Sequence, residues 1–260
     1  MTASEPVDAS IVLGFKSRYL DAEIPNRLVA DYVRQHPDRL IGFAGIDPTD
    51  PSEAVKEMQI ARDEFGMRGV ALSPAAQDFH PCHTNAKTCY EAAGGLRLPV
   101  LFHNGVRNAP ECVLQYGQPA LLDEVAREFP SLKIIVAHMG YPWVHETVAL
   151  IAKQQNVYSD ISWLLHRPWS AYQSLLVAYE HGVMHKLLFG SGFPYTNAAH
   201  CIEALYGINH LVHGTNLPAI PREHLRGIVQ RDALELLGIR PQSGPRNGSP
   251  EKPLIDYDDD

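Results

Sequence analysis

Basic residues are in short supply. The chain sets 22 Lys and Arg against 30 Asp and Glu, giving a formal charge of -8 and a pI near 5.9. No basic face is left over to neutralise phosphates, so nucleic acid is not an expected partner. Part of the acidity is concentrated at the end, where Asp256, Asp258, Asp259 and Asp260 crowd the last residues. No apolar run approaches the roughly 20 residues that cross a bilayer, so no membrane span is expected. The opening M-T-A-S-E-P-V-D-A-S has neither a basic start nor an apolar centre, and does not read as a secretory signal. Cysteine is scarce as well: Cys82, Cys89, Cys112 and Cys201 form no CxxC pair and are too sparse for a disulfide scaffold. Free thiols in a reducing, cytoplasmic compartment are the expectation. Internal repeats are also missing.

What is present is an alternation of short apolar runs and amphipathic segments. At 260 residues and 45% hydrophobic, the chain can bury one large core. An α/β barrel of about 250 residues is ordinary at this size. Buried-strand candidates are Ala9–Gly14, Leu40–Ile46, Arg68–Ser73, Pro99–Phe102, Ile134–Ala137, Asn156–Ser162 and Lys186–Phe189. Continuous rather than alternating apolar character marks strands covered on both faces, as in a parallel sheet. Helices are expected between them. One opens at Ile24-Pro25-Asn26 and runs to about His36, with Leu28, Tyr32 and Val33 on its apolar face. Another starts at Asp50-Pro51-Ser52-Glu53, with Asp as cap and Pro in the first position, and buries Ala54, Met58, Ala61 and Phe65. Helices near Ala198–Val212 and Pro221–Leu237 end the pattern. The count is seven strands, each followed by a helix, where a closed barrel needs eight. Residues 1–239 read as one barrel domain; residues 240–260, polar, acidic and rich in Pro and Gly, read as a disordered tail.

Thirteen histidines offer many candidates for chemistry. Most fall on helices or loops, where a solvated or packed ring is the simple explanation. His80 and His83, in H-P-C-H, have metal-like spacing, but no regular element fixes them. His103 and His138 differ, because two separate strands deliver them to the same rim. On neighbouring strands the two imidazoles would start about 5 Å apart. Neutral imidazole binds metals and moves protons near neutral pH, so a shared pocket makes chemical sense. Asp160, at the end of the next strand, either orients one ring or caps the following segment.

Several blocks together resemble the amidohydrolase superfamily, in the amidohydrolase-related branch that includes aminocarboxymuconate-semialdehyde decarboxylase and related decarboxylases. They are P-D-R-L-I-G-F-A-G-I-D-P (37–48), P-V-L-F-H-N-G (99–105), I-V-A-H-M-G-Y-P-W (135–143), N-V-Y-S-D-I-S (156–162), L-F-G-S-G-F-P (188–194) and D-A-L-E-L-L-G-I (232–239). The resemblance implies a TIM-barrel-like (β/α)8 metal-dependent hydrolase fold, here with its first strand apparently missing. It implies a divalent metal, zinc first, at the strand C-termini, with His103 as a ligand. His138 matches the second His, which ligates or acts as acid/base. Asn104, Trp143 and Asp160 are the implied substrate contacts.

Two family elements are missing: a first-strand His-x-His pair, and the Asp of Gly-Ser-Asp-x-Pro, which is Gly192 here. The surrounding Gly190, Ser191 and Pro194 suggest that position 192 still aims into the mouth. A weak or vestigial metal site is therefore expected, with no metal at all as the alternative. Two functions stay open. One is hydrolysis or non-oxidative decarboxylation of a small carboxylated or cyclic substrate through His138. The other is a non-catalytic relative that binds a small molecule or a partner. A homodimer covering the open edge is the expected assembly.

Overall fold

The computed structural model describes residues 5–103 and 109–239. The chain opens on β1 (Ser10–Leu13) and makes a small antiparallel hairpin of β2 (Phe15–Ser17) and β3 (Ala22–Ile24). It then runs through β4 (Leu40–Gly45), β5 (Gly69–Leu72), β6 (Val100–Phe102), β7 (Ile134–Val136), β8 (Val157–Asp160) and β9 (Leu187–Leu188), with helices between. Seven of these strands form one sheet in the order β1-β4-β5-β6-β7-β8-β9, and every neighbouring pair is parallel. This is the expected α/β architecture with one strand fewer than a closed barrel. Among the described residues, β1 and β9 do not pair, and the sheet stays open at that seam.

Alternation along the strands builds two cores. Val100, Phe102, Ile134, Val136, Val157 and Leu187 face outward and pack under the helices in the larger cluster. Their neighbours Leu101, Ile135, Tyr158 and Leu188 face inward with Phe43, and Ile11, Leu13 and Ile41 pack against them. The inner cluster is completed by the end of the described chain: Leu237 and Ile239 are buried in it, and Ala233, Leu234 and Leu236 lie against it. The domain thus packs through Ile239, and the expected tail from 240 lies outside the described residues.

The two edges at the seam are treated differently. The Leu188 carbonyl faces β8 and accepts from Ile161 N–H at 3.1 Å. The Leu187 carbonyl faces the other way and accepts from Arg231 Nη1, while Nη2 of the same guanidinium reaches the Met184 carbonyl at 3.4 Å. An arginine thereby occupies the hydrogen-bonding role that an eighth strand would fill. Burial lowers the pKa of Arg231 from its ordinary value. On β1, by contrast, all four residues are only half-buried.

Several local expectations need correction. The helix Asn26–Val33 buries Val29 and Ala30, whereas Leu28 and Tyr32 are exposed. The small side chains are the ones that let this helix settle on β4, where Val29 lies beside Gly42. The expected helix over Pro221–Leu237 is two, Arg222–Gln230 and Ala233–Leu236, because Arg231 turns extended to reach the seam and Asp232 caps the second. The expected helix over Ala198–Val212 ends at Tyr206 and continues as a tighter turn over Ile208–Val212. The β2–β3 hairpin was not expected. It is anchored by Ser17 Oγ donating to the Ala76 carbonyl at 2.6 Å and by Gln77 Nε2 donating to Lys16 O and Ile46 O. Where β1 passes into the hairpin it crosses the end of β4 so closely that a Cβ at Gly45 would overlap the Phe15 nitrogen. Only glycine fits there. The helix Pro51–Asp63 forms as expected, with Asp50 accepting from Glu53 N–H at 3.2 Å and Ala54, Met58 and Ala61 buried.

Candidate active site

β6 and β7 are neighbours, so the residues that follow them emerge side by side at one rim. His103 comes directly after β6, its N–H donating to Leu72 O on β5 at 2.7 Å. His138 sits just past β7 in a tight turn over Ala137–Gly140. The two rings meet edge to face with centroids 4.8 Å apart, and their Nε2 atoms are 3.0 Å apart.

The turn that carries His138 is unusual. His138 (φ 55), Met139 (φ 50) and Gly140 (φ 61) are all left-handed. For the two non-glycine residues this conformation costs roughly 1–2 kcal/mol each, and it persists only where the surroundings enforce it. Here Met139 is fully buried and the Gly140 Cα sits against Pro119 and Thr147 with no room for a side chain. Packing therefore holds His138 in an orientation its backbone would not choose alone.

Behind His138 lies a second layer from the end of β8. Nδ1 of His138 is 2.8 Å from Ser162 Oγ and 3.1 Å from the Ser162 carbonyl. Ser162 Oγ donates in turn to Asp160 Oδ1. The same carboxylate oxygen accepts from Ser162 N–H at 2.9 Å and His138 N–H at 3.2 Å. Asp160 is thus nearly buried and heavily engaged, on the side of His138 away from His103. His103 is half-buried, and the loss of water around its ring pushes its pKa down to about 3, with the neighbouring His138 adding to the effect. Its ring is neutral at ordinary pH and carries one proton.

Of the other expected site residues, Trp143 is half-buried at the start of the helix Val144–Lys153, where its N–H donates to Gly140 O at 2.9 Å. Asn104 lies outside the described residues. His80 and His83 serve locally: each Nδ1 accepts a backbone N–H two residues on, and His83 caps the helix Thr84–Gly95. The sequence reading missed Ser162 and its neighbour Trp163. The indole of Trp163 is buried, and the Arg167 guanidinium stacks over it at 4.4 Å and over Tyr141 at 5.7 Å. The signal was available in S-D-I-S (159–162), which ends the strand next to the one bearing His138. Two surface hollows, of about 440 Å³ beside Arg231 and about 230 Å³ beside the hairpin, are lined by neither histidine.

The sequence profile of the Amidohydrolase family matches residues 8–242. The chain belongs to the amidohydrolase family. Solved structures agree on the fold of this amidohydrolase. An uncharacterised TIM-barrel protein from Bordetella bronchiseptica superposes with a TM-score of 0.71 at 22% identity, covering 89% of this chain and 78% of its own. A probable 2-pyrone-4,6-dicarboxylic acid hydrolase from Acinetobacter baumannii, with citric acid bound, gives 0.63 at 19% identity over 89% and 84%. A dihydroxybenzoic acid decarboxylase from Polaromonas, with manganese and the inhibitor 2-nitroresorcinol, gives 0.61 at 19% over 82% and 73%. No curated protein matches the chain.

Whether this family member can hold a divalent cation depends on its donors. The Nε2 pair lies close to the bite of two nitrogens on one metal at about 2.0–2.1 Å. A catalytic zinc site typically needs three protein ligands, and no group of three His, Cys, Asp or Glu that could hold a metal occurs among the described residues. Position 192 does not supply the third. Gly192 has φ 73, and a Cβ there would sit 3.0 Å from the Trp163 nitrogen and 3.3 Å from its Cα. A side chain at 192 would press on the Trp163 backbone, which would have to give by a few tenths of an ångström, and it would stand in a left-handed conformation. Among the described residues the two imidazoles fall short of the three protein ligands typical of a catalytic zinc.

Proposed function

We propose that this amidohydrolase is an enzyme that cleaves a small carboxylated or cyclic substrate, by non-oxidative decarboxylation in the first instance and by hydrolysis as the related alternative. His138 is the acid/base and His103 its partner. The observation that carries this reading is the imidazole pair, held with Nε2 atoms 3.0 Å apart at the rim by a strained and fully packed turn. Proton transfer is what two such rings can supply. In a decarboxylation the carbon–carboxylate bond breaks, carbon dioxide leaves, and the electron pair left on carbon takes up one proton. His138 is placed to take a proton on its rim-facing Nε2 from an acidic hydroxyl or carboxyl group of the substrate or from solvent and to pass it to that carbon, and acid/base catalysis of this kind contributes about 10²- to 10⁴-fold. The structural relatives support the substrate class, since their names specify aromatic and pyrone carboxylic acids.

A divalent metal, zinc or manganese, enters this proposal only as an ion weakly held by the two imidazoles, and no step depends on it. A small molecule is the proposed partner, and a homodimer across the open seam the proposed assembly. The loss of a side chain at Gly192 favours a second reading, a non-catalytic relative that binds a small carboxylate.

The test is to incubate purified protein with dihydroxybenzoates and pyrone dicarboxylates, with and without added manganese, and to follow carbon dioxide release and ring opening. Turnover that disappears in His138→Asn supports the enzyme. Saturable binding of the same acids without turnover would support the second reading, and turnover that survives His138→Asn would remove His138 from the chemistry.

A further inference from the structure

Hydrogen-bonding logic around His138 assigns its proton. A carbonyl oxygen only accepts, so the contact of 3.1 Å between Nδ1 and Ser162 O requires a proton on Nδ1. The hydroxyl of Ser162 gives the same answer independently. Its single hydrogen is directed to Asp160 Oδ1, a carboxylate oxygen that can only accept, so Oγ must receive at 2.8 Å what Nδ1 donates. In the neutral ring, Nε2 of His138 then carries the lone pair. It points at His103 Nε2, which must donate across the 3.0 Å gap. Every link has its direction fixed, and the chain of donors runs from His103 through His138 and Ser162 to Asp160.

We infer that Ser162 is a positioning residue: together with Asp160 it fixes the proton of His138 on Nδ1, presents the Nε2 lone pair to the rim, and ties that imidazole to a carboxylate. Ser162 touches no reacting atom and acts through His138. As in the hydrolase and protease triads, a carboxylate fixes a histidine tautomer from the Nδ1 side; unlike them, this site interposes a serine hydroxyl between acid and ring. It resides in main-chain geometry as well as side chains. Ser162 N–H and His138 N–H both grip the same Asp160 oxygen, so the carboxylate holds the two loops together while it orients the ring. The assignment stands whether Nε2 serves as a base or as a ligand, because both uses need the same lone pair. Its functional meaning rests on the acid/base role proposed for His138.

The experiment is nitrogen-15 NMR on the full chain with ring-labelled histidine, the His138 signals being identified by their loss in His138→Gln. The expected spectrum of the neutral ring shows a pyrrole-type Nδ1 bearing a downfield, slowly exchanging proton and a pyridine-type Nε2. Ser162→Ala should keep that tautomer, because the carbonyl remains, yet move the ring proton upfield; Ser162→Thr should restore it. Asp160→Asn should move it in the same sense, and the double variant no further than either single change, since both break one link. The signals of the other histidines should stay in place. With a substrate from the screen above, Ser162→Ala should lower kcat by about 10- to 100-fold with little change in KM. A proton on Nε2 of the unmodified chain would overturn the inference, as would a ring proton indifferent to Ser162→Ala. Should the Ala variant fail to fold, the unmodified and Thr spectra still decide it. The NMR reads only the relay, so a correct tautomer without turnover would sink the proposed enzyme and leave the positioning claim standing.

Discussion

Acid should destabilise this protein through His103, and the size of the effect can be worked out. The ring has an ordinary pKa of 6.5 and burial brings it down to about 3 in the fold. The folded value is depressed, so between these limits the unfolded chain takes up a proton that the native protein refuses. Stability from this group is complete above the unfolded pKa, falls by about 1.4 kcal/mol per pH unit as pH drops below it, and levels off near the folded pKa. At pH 5 the loss is about 2 kcal/mol, and a folded pKa one unit higher would leave that figure almost unchanged. Carboxylates add their own acid sensitivity, so the assay needs a reference. We would measure urea unfolding at pH 7 and pH 5 for the chelator-treated protein and for His103→Gln, which cannot titrate there. The unmodified chain should lose about 2 kcal/mol more than the variant on going to pH 5. Equal losses would mean that His103 is solvated enough to keep its ordinary pKa, and the picture of a ring held neutral by loss of water would fall.

The other expectations follow from close contacts. Gly192→Asp should lower stability by about 1–3 kcal/mol, because it asks a side chain to occupy a left-handed position against Trp163. Calorimetric zinc titration of that variant should show no tight site; a new one-to-one site would prove that position 192 reaches the metal after all. Arg231→Met removes the donors on Leu187 O and Met184 O and should destabilise by about 1–3 kcal/mol in urea, with faster amide exchange along β8 and β9. Unchanged exchange there would deny the arginine its role at the seam. Gly45→Ala forces a methyl into the Phe15 backbone, and a loss above roughly 3 kcal/mol is expected, so a near-native unfolding midpoint would show that the crossing of β1 over β4 is looser than described.

The parallel sheet was legible because strands covered on both faces have to be apolar throughout. Ile134–Val136 and Val100–Phe102 are buried at every position, and their sequences show it without any alternation to decode. The meeting of His103 and His138 followed from the same grammar, each placed where such a run stops. The hairpin was not legible: Phe15-Lys16-Ser17 and Ala22-Glu23-Ile24 are short and mixed in polarity, and they are tied down by tertiary bonds through Ser17, Gln77 and Lys16. The face of the first helix was misjudged because bulk was taken as the sign of burial, whereas close approach to β4 selected Val29 and Ala30. Ser162 escaped notice because a serine after a strand is a common loop residue. Its meaning depends on which strand lies next door, and that is a property of topology rather than of local sequence.

The inner cluster also has a temporal aspect. Ile11 and Leu13 near one end of the chain share it with Leu237 and Ile239 near the other. Contacts this far apart in sequence close a very long loop, and they come late on any route that builds local pairings first. A ribosome would release almost the entire sheet before the residues that plug its interior had emerged. Until then the inward faces of β4, β6, β7 and β8 remain wet, a state prone to associate with its own kind. A chain stopped before Ala233 should therefore keep its strands in order and still behave as an unfinished protein, sticky and quickly degraded.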